Sequence, residues 1–95
     1  MKYEVMFIIR PDLDEKKIKE VVTGFEEVLS KNKVKILSSR EMGQRTLTYE
    51  IKKHKSGYYF LYQIELNEAE ALKEINRLTL LNENIIRHMI IKIEN

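Results

Sequence analysis

Two runs of alternating residues flank one turn in the middle of the chain, and they restrict the fold more than any other feature. The first is Gly43-Gln44-Arg45-Thr46-Leu47-Thr48-Tyr49-Glu50-Ile51. The second is Gly57-Tyr58-Tyr59-Phe60-Leu61-Tyr62-Gln63-Ile64-Glu65-Leu66, with Lys53 to Ser56 between the two. Alternation with period two is the mark of a strand with one buried face, and two such runs across a short loop read as a hairpin. One parity carries Leu47, Tyr49, Ile51, Tyr58, Phe60, Tyr62, Ile64 and Leu66, and is expected in the core. The other carries Thr46, Thr48, Glu50, Lys52, Tyr59, Leu61, Gln63 and Glu65, with an aromatic and a leucine where water is expected.

The flanking segments extend this pattern. Tyr3 to Ile9 reads as a strand that ends at Arg10-Pro11-Asp12, because proline supplies no backbone donor and restricts the residue before it. Asp14 is an N-cap, and Ile18, Val21, Val22, Phe25, Val28 and Leu29 recur at the helical period up to Lys31-Asn32-Lys33. Gly24 within this helix reads as room for close approach to the sheet. A strand begins at Val34, and the segment Glu41-Met42-Gly43-Gln44 lacks the Asn-Gly or Asp-Gly pair of a tight hairpin. One long strand kinked by a bulge at Gly43 is therefore preferred to two short ones. Asn67 reads as the N-cap of a second helix whose buried stripe is Ala71, Leu72, Ile75, Leu78 and Leu81. Ile85 to Ile93 is a last strand, apolar on both parities, so either Ile85, Arg87, Met89 and Ile91 or Ile86, His88, Ile90 and Lys92 can face inward.

The order strand, helix, strand, strand, helix, strand predicts an α+β, ferredoxin-like βαββαβ fold: a four-stranded antiparallel sheet with two helices on one face. Right-handed crossovers place the first and third strands at the centre. Ninety-five residues are expected to form a single domain, 1–95.

Catalytic chemistry finds little support. The chain has no cysteine, which excludes disulfides, thiolate metal sites and a cysteine nucleophile. Three isolated glycines form no phosphate loop. His54 reads as a solvated turn residue, His88 as a packed or partner-facing one, and Asp12 and Asp14 as capping residues. No cofactor, metal or small-molecule substrate is expected, nor a membrane span, since the longest apolar stretch falls far short of about 20 residues. No signal-peptide core follows the N-terminus, and a cytoplasmic location is expected.

Binding is the better class. The sequence Lys55-Ser56-Gly57-Tyr58-Tyr59-Phe60-Leu61 superficially matches the central-strand signature of the RNA-recognition motif, which stacks bases on sheet aromatics. Parity opposes that reading, because exposing Tyr58 and Phe60 would bury Gln63 and Glu65. Met6, Ile8, Tyr59 and Leu61 instead form an apolar patch on the open face, which suits a protein partner. A net charge of +2 is too small for adhesion to nucleic acid by charge alone, so any RNA contact must be local. Arg40, Arg45, Lys52, Lys53 and Lys55 cluster around the hairpin, with Arg77 and Arg87 further on, and guanidinium forks suit phosphates.

The chain resembles the bacterial small-subunit ribosomal protein S-six family. The resemblance rests on Met1-Lys2-Tyr3-Glu4-Val5, Pro11-Asp12-Leu13-Asp14, the two hairpin runs and Asn84-Ile85-Ile86-Arg87-His88-Met89, in that order along the whole chain. It implies a non-enzymatic structural constituent of the small ribosomal subunit. Such a protein binds the central domain of small-subunit ribosomal RNA as a cooperative pair with ribosomal protein S-eighteen. Candidate RNA contacts on this reading are Lys2, Arg45, Lys53, Arg77, Arg87 and Lys92; candidate protein-partner contacts are Met6, Ile8, Tyr59 and Leu61. The chain departs from the family pattern at Thr46, where a second arginine is common, at Glu50, where proline is common, and at His88, where an aliphatic residue is usual. A homodimeric ferredoxin-like regulatory or ligand-binding module, paired through the open face, is the alternative.

Overall fold

The structure is a computed structural model that describes residues 1–94, the side chain of Glu94 excepted. Its elements are β1 (Lys2–Ile9), α1 (Glu15–Lys31), β2 (Lys35–Ile51), β3 (His54–Glu65), α2 (Ala69–Leu81) and β4 (Ile85–Glu94). The strands pair in the order β2-β3-β1-β4, each neighbour antiparallel, with β1 and β3 central as the crossover argument requires. Val5, Phe7 and Ile9 of β1 and Phe60, Tyr62 and Ile64 of β3 form one core with Val21, Phe25 and Leu29 of α1 and Ala71 and Ile75 of α2. This is the ferredoxin-like architecture.

Aromatic packing centres that core. The Phe7 ring lies 4.7 Å from Phe25, 5.3 Å from Phe60 and 5.8 Å from Tyr62, centroid to centroid. The Tyr62 hydroxyl donates to Glu26 Oε2 of α1 at 2.7 Å, so the buried ring keeps a partner for its polar end. Burial and then this carboxylate acceptor push the phenol well above its ordinary pKa.

Local signals explain most boundaries. The Asp14 carboxylate accepts the Lys17 backbone N–H at 2.8 Å and caps α1. Asn32 closes that helix, and Lys33 turns the chain with φ of 58°. β2 is one long strand, with a register shift between Glu41 and Gly43 and φ of +81° at Gly43, a backbone region that glycine enters without strain.

Four expectations need correction. The hairpin turn is Lys52–Lys53, not Lys53–Ser56: Ile51 pairs with His54, and both lysines have positive φ, the hand of a type I′ turn. Gly57 therefore lies within β3. A Cβ there would sit 2.3 Å from Ile8 Cγ2 and 3.0 Å from the Ile9 carbonyl oxygen, so Gly57 admits Ile8. In α1, a Cβ at Gly24 would meet nothing within 4 Å, so this glycine makes no room for the sheet. In α2, the helix starts after Glu68, with no side-chain cap from Asn67. Leu81 is 65% exposed, and Thr79 takes the buried place, its hydroxyl donating to the Ile75 carbonyl at 2.7 Å.

Two parity assignments also change. Gly43 pairs with Tyr59 and Arg45 with Gly57, which puts the odd-numbered residues of this part of β2 on the open side of the sheet. Leu47 is buried there against Ile8 and Ile86, with Ile51 and Tyr59 packed on the cluster, while Tyr49 is 82% exposed. Parity along one strand cannot show which face of its neighbour it joins; register does. In β4, Ile8 pairs with Arg87 but Ile9 with Ile85, so Ile86 is an extra residue. The bulge splits both candidate sets: Ile85, His88, Ile90 and Lys92 lie on the helix side, and Ile86, Arg87, Met89 and Ile91 on the open side.

Candidate functional site

The register builds the open face row by row across β2, β3, β1 and β4. One row is Gly43, Tyr59, Ile8 and Arg87; the next is Arg40, Leu61, Met6 and Met89; the third is Ser38, Gln63, Glu4 and Ile91. The centre is apolar because short-period alternation leaves Met6 and Leu61 outside, and β4 adds Met89 at 39% and Ile91 at 48% exposure. Arginines stand at the two edges, Arg40 and Arg45 on β2 and Arg87 on β4, all exposed. An apolar strip with exposed polar and charged residues at its edges is suited to a protein partner.

Of the candidate partner residues, Met6, Tyr59 and Leu61 are part-exposed and lie together. Ile8 differs: it is 2% exposed, covered by Leu47 and Ile86, and offers almost no surface. Sequence reasoning missed Met89 and Ile91, which continue the apolar surface onto the edge strand. Their signal was present in the double apolar parity of β4, but only the bulge at Ile86 decides which side they take.

The candidate RNA contacts do not form one group. Arg45 and Lys53 are exposed on the β2–β3 hairpin, and Arg87 and Lys2 belong to the open face. Lys92 lies on the helix side of β4, opposite Tyr3. Arg77 is on α2 and forks onto Glu74, with Nε 3.1 Å from Oε2. That hydrogen bond holds the Glu74 carboxyl below its usual range, and both side chains are solvent-accessible.

Neither histidine forms a catalytic arrangement with a carboxylate in the hydrogen bonds of the described residues. The His88 Nε2–H donates to Asn76 Oδ1 of α2 at 2.7 Å, and burial holds the imidazole below its ordinary pKa. Asp12 does not cap the helix; it receives both the Nε and Nη2 donors of Arg10, at 2.7 and 2.9 Å. No cluster of three metal-ligating side chains occurs among the described residues. Among the described residues no helix is long and apolar enough to cross a membrane.

Comparison with known proteins agrees with this architecture. The model of the family described as Ribosomal protein S6 matches residues 2–92. The structure of the 30S ribosomal protein S6 from Thermotoga maritima superposes with a TM-score of 0.88 at 30% identity, over 94% of this chain and 83% of that one. More distant structures share the fold alone. The C-terminal domain of the MgtC protein from Mycobacterium tuberculosis has a TM-score of 0.59 at 14% identity, over 94% of this chain and 83% of that one. A protein from Arabidopsis thaliana has a TM-score of 0.57 at 13% identity, over 100% of this chain and 95% of that one. A family match over residues 2–92, together with a structural match at 30% identity over 94% of this chain, shows that the chain belongs to the ribosomal protein S6 family of the small ribosomal subunit.

Proposed function

We propose that this chain is a non-enzymatic, single-domain structural component of the cytoplasmic small ribosomal subunit. It binds the central domain of the subunit's RNA together with ribosomal protein S-eighteen. Family membership supports the class, and the observation that carries the mechanism is the open face: an apolar strip of Met6, Leu61, Tyr59 and Met89 between exposed arginines at opposite edges. The strip meets the protein partner. Arg45, Lys53 and Arg87 meet phosphates at its rim, with Lys2 beside them. Arg77 and Lys92 occupy other surfaces and contribute only if RNA also reaches α2 and the helix side of β4.

The division of labour follows from magnitudes. A chain of net charge +2 gains little from long-range attraction, so its RNA affinity must come from a few placed contacts. Phosphate contacts fix position without reading sequence, which suits a protein that holds one folded RNA in register.

Two measurements test the reading. Co-purification at moderate salt is expected to recover the chain in the small-subunit fraction; recovery only as a free protein or a stable dimer counts against it. With S-eighteen present, Arg45→Ala and Arg87→Ala are each expected to reduce the slope of log affinity against log salt by about one unit. Unchanged slopes in both variants would remove these arginines from the interface.

A further inference from the structure

The tip of the β2–β3 hairpin is unlike the rest of the surface. Residues 45–56 carry four cations, Arg45, Lys52, Lys53 and Lys55, against the single acid Glu50, a local charge of +3 in a chain whose total is +2. The remainder of the molecule is thus slightly acidic, and the tip holds the whole excess. All four cations are exposed, and none is in an ion pair among the described residues.

One aromatic ring stands among them. Between the pairs Thr46–Ser56 and Ile51–His54, β2 supplies four residues, Leu47 to Glu50, opposite only Lys55. Leu47 is buried against Ile8 and Ile86, and Ile51 packs on the same cluster. The bulge is thus anchored on both sides of Tyr49, whose side chain remains 82% exposed, the highest value among the large apolar side chains on this surface. A bulge of this kind aims a side chain that regular pairing would have laid on the sheet.

We infer that Tyr49 is a stacking residue for an unpaired nucleotide of RNA, held in place by the cations of the hairpin tip. This rests on the ribosomal RNA reading above and deepens it. The chemistry selects the ligand class: bases within a duplex already have both faces occupied, so a lone aromatic ring finds a free face only on a splayed or bulged base. Phosphates flanking that base lie within the reach of lysines placed on the same tip, and an acidic protein surface would use the cations but not the ring.

The test uses the full chain with S-eighteen present and small-subunit ribosomal RNA as the probe. Tyr49→Phe is expected to keep affinity within about twofold, and Tyr49→Leu to lose roughly tenfold or more, the scale of one base-stacking contact. The salt slope of Tyr49→Leu is expected to match that of the unaltered chain, since no phosphate contact is lost, whereas Lys53→Ala is expected to lower it. Unchanged affinity in Tyr49→Leu, with Lys53→Ala still weakened, overturns the stacking role and leaves the RNA reading standing. Loss of affinity for S-eighteen alone, measured without RNA, overturns it in favour of a protein contact. Failure of the unaltered chain to bind the RNA overturns both. Because Tyr49 is exposed, unfolding curves of the variants are expected to superpose, which separates loss of contact from loss of fold.

Discussion

The two faces of the sheet are built to different depths. The helix side holds Val5, Phe7, Ile9, Phe60, Tyr62 and Ile64 beneath two helices, with the Phe7 ring in contact with three other aromatics. The open side has only a small cluster of Ile8, Leu47 and Ile86 at the hairpin end, beside a strip left half-exposed. Stability scales with apolar area removed from water, so the helix side carries most of it. The open side is left free to bury its strip against something else. Its small cluster serves a narrower purpose, fastening the long hairpin back to β1 so that its charged tip is held in place.

Substitutions that cut into each face measure this asymmetry. The largest effect is expected from Phe7→Ala, a loss of about 3–5 kcal/mol in urea unfolding, because the ring is fully buried and its cavity cannot collapse without moving a helix. A loss near 1 kcal/mol would show that the core is not centred there. Gly57→Ala strikes the open side. Its Cβ would meet Ile8 Cγ2 and, less yieldingly, the Ile9 backbone oxygen, so a loss of about 1–3 kcal/mol is expected. A loss under about 0.5 kcal/mol would mean that Ile8 moves aside and that the open cluster is soft.

The smallest effect is at His88, where α2 meets the edge strand. Burial lowers its pKa in the folded state, so on acidification the unfolded chain takes up this proton first. The contribution is level above the ordinary histidine value of about 6.5 and declines as pH falls through it towards the lower folded value. A stability profile of His88→Gln against the unaltered chain is expected to diverge only in that window, with the unaltered chain falling more steeply. Parallel profiles would show that the imidazole is as well solvated folded as unfolded.

Much of this architecture could be read from the chain. The helix stripe ending in Phe25 and Leu29, the cap at Asp14 and the bend at Gly43 are local events, set by period, hydrogen-bonding groups and backbone freedom within a few residues. The inward parity of Phe60, Tyr62 and Ile64 follows from the same alternation. In the helices, Gly24, Asn67 and Leu81 depart from their local signals; in the sheet, the differences concern relations between strands. Leu47 was expected beside Phe60 and lies instead on Ile8, because the pairing of Gly43 with Tyr59 sets its face. Ile8 was expected to be open and is covered by two residues distant in sequence. The sequence places the loop at Lys53 to Ser56, whereas the turn is Lys52–Lys53, because two lysines give no sign that they adopt positive φ.

The candidate site divides along the same line. Its ingredients were visible: the apolar pair Met6 and Leu61, the basic hairpin and the aromatic at 59. Their arrangement was not. That Arg40 and Arg87 stand at opposite edges of one apolar strip depends on strand order, and that Met89 and Ile91 join it depends on one extra residue at Ile86.

The sequence by itself determined the elements, the fold class and the family, because periodicity and capping act locally and the hairpin runs keep their spacing. Tertiary structure alone decided which residues share a face, why Gly57 must be small and why Tyr49 stands in water. Register and bulges are settled by contacts between segments far apart in the chain, and a side chain's exposure is a property of what those segments leave uncovered.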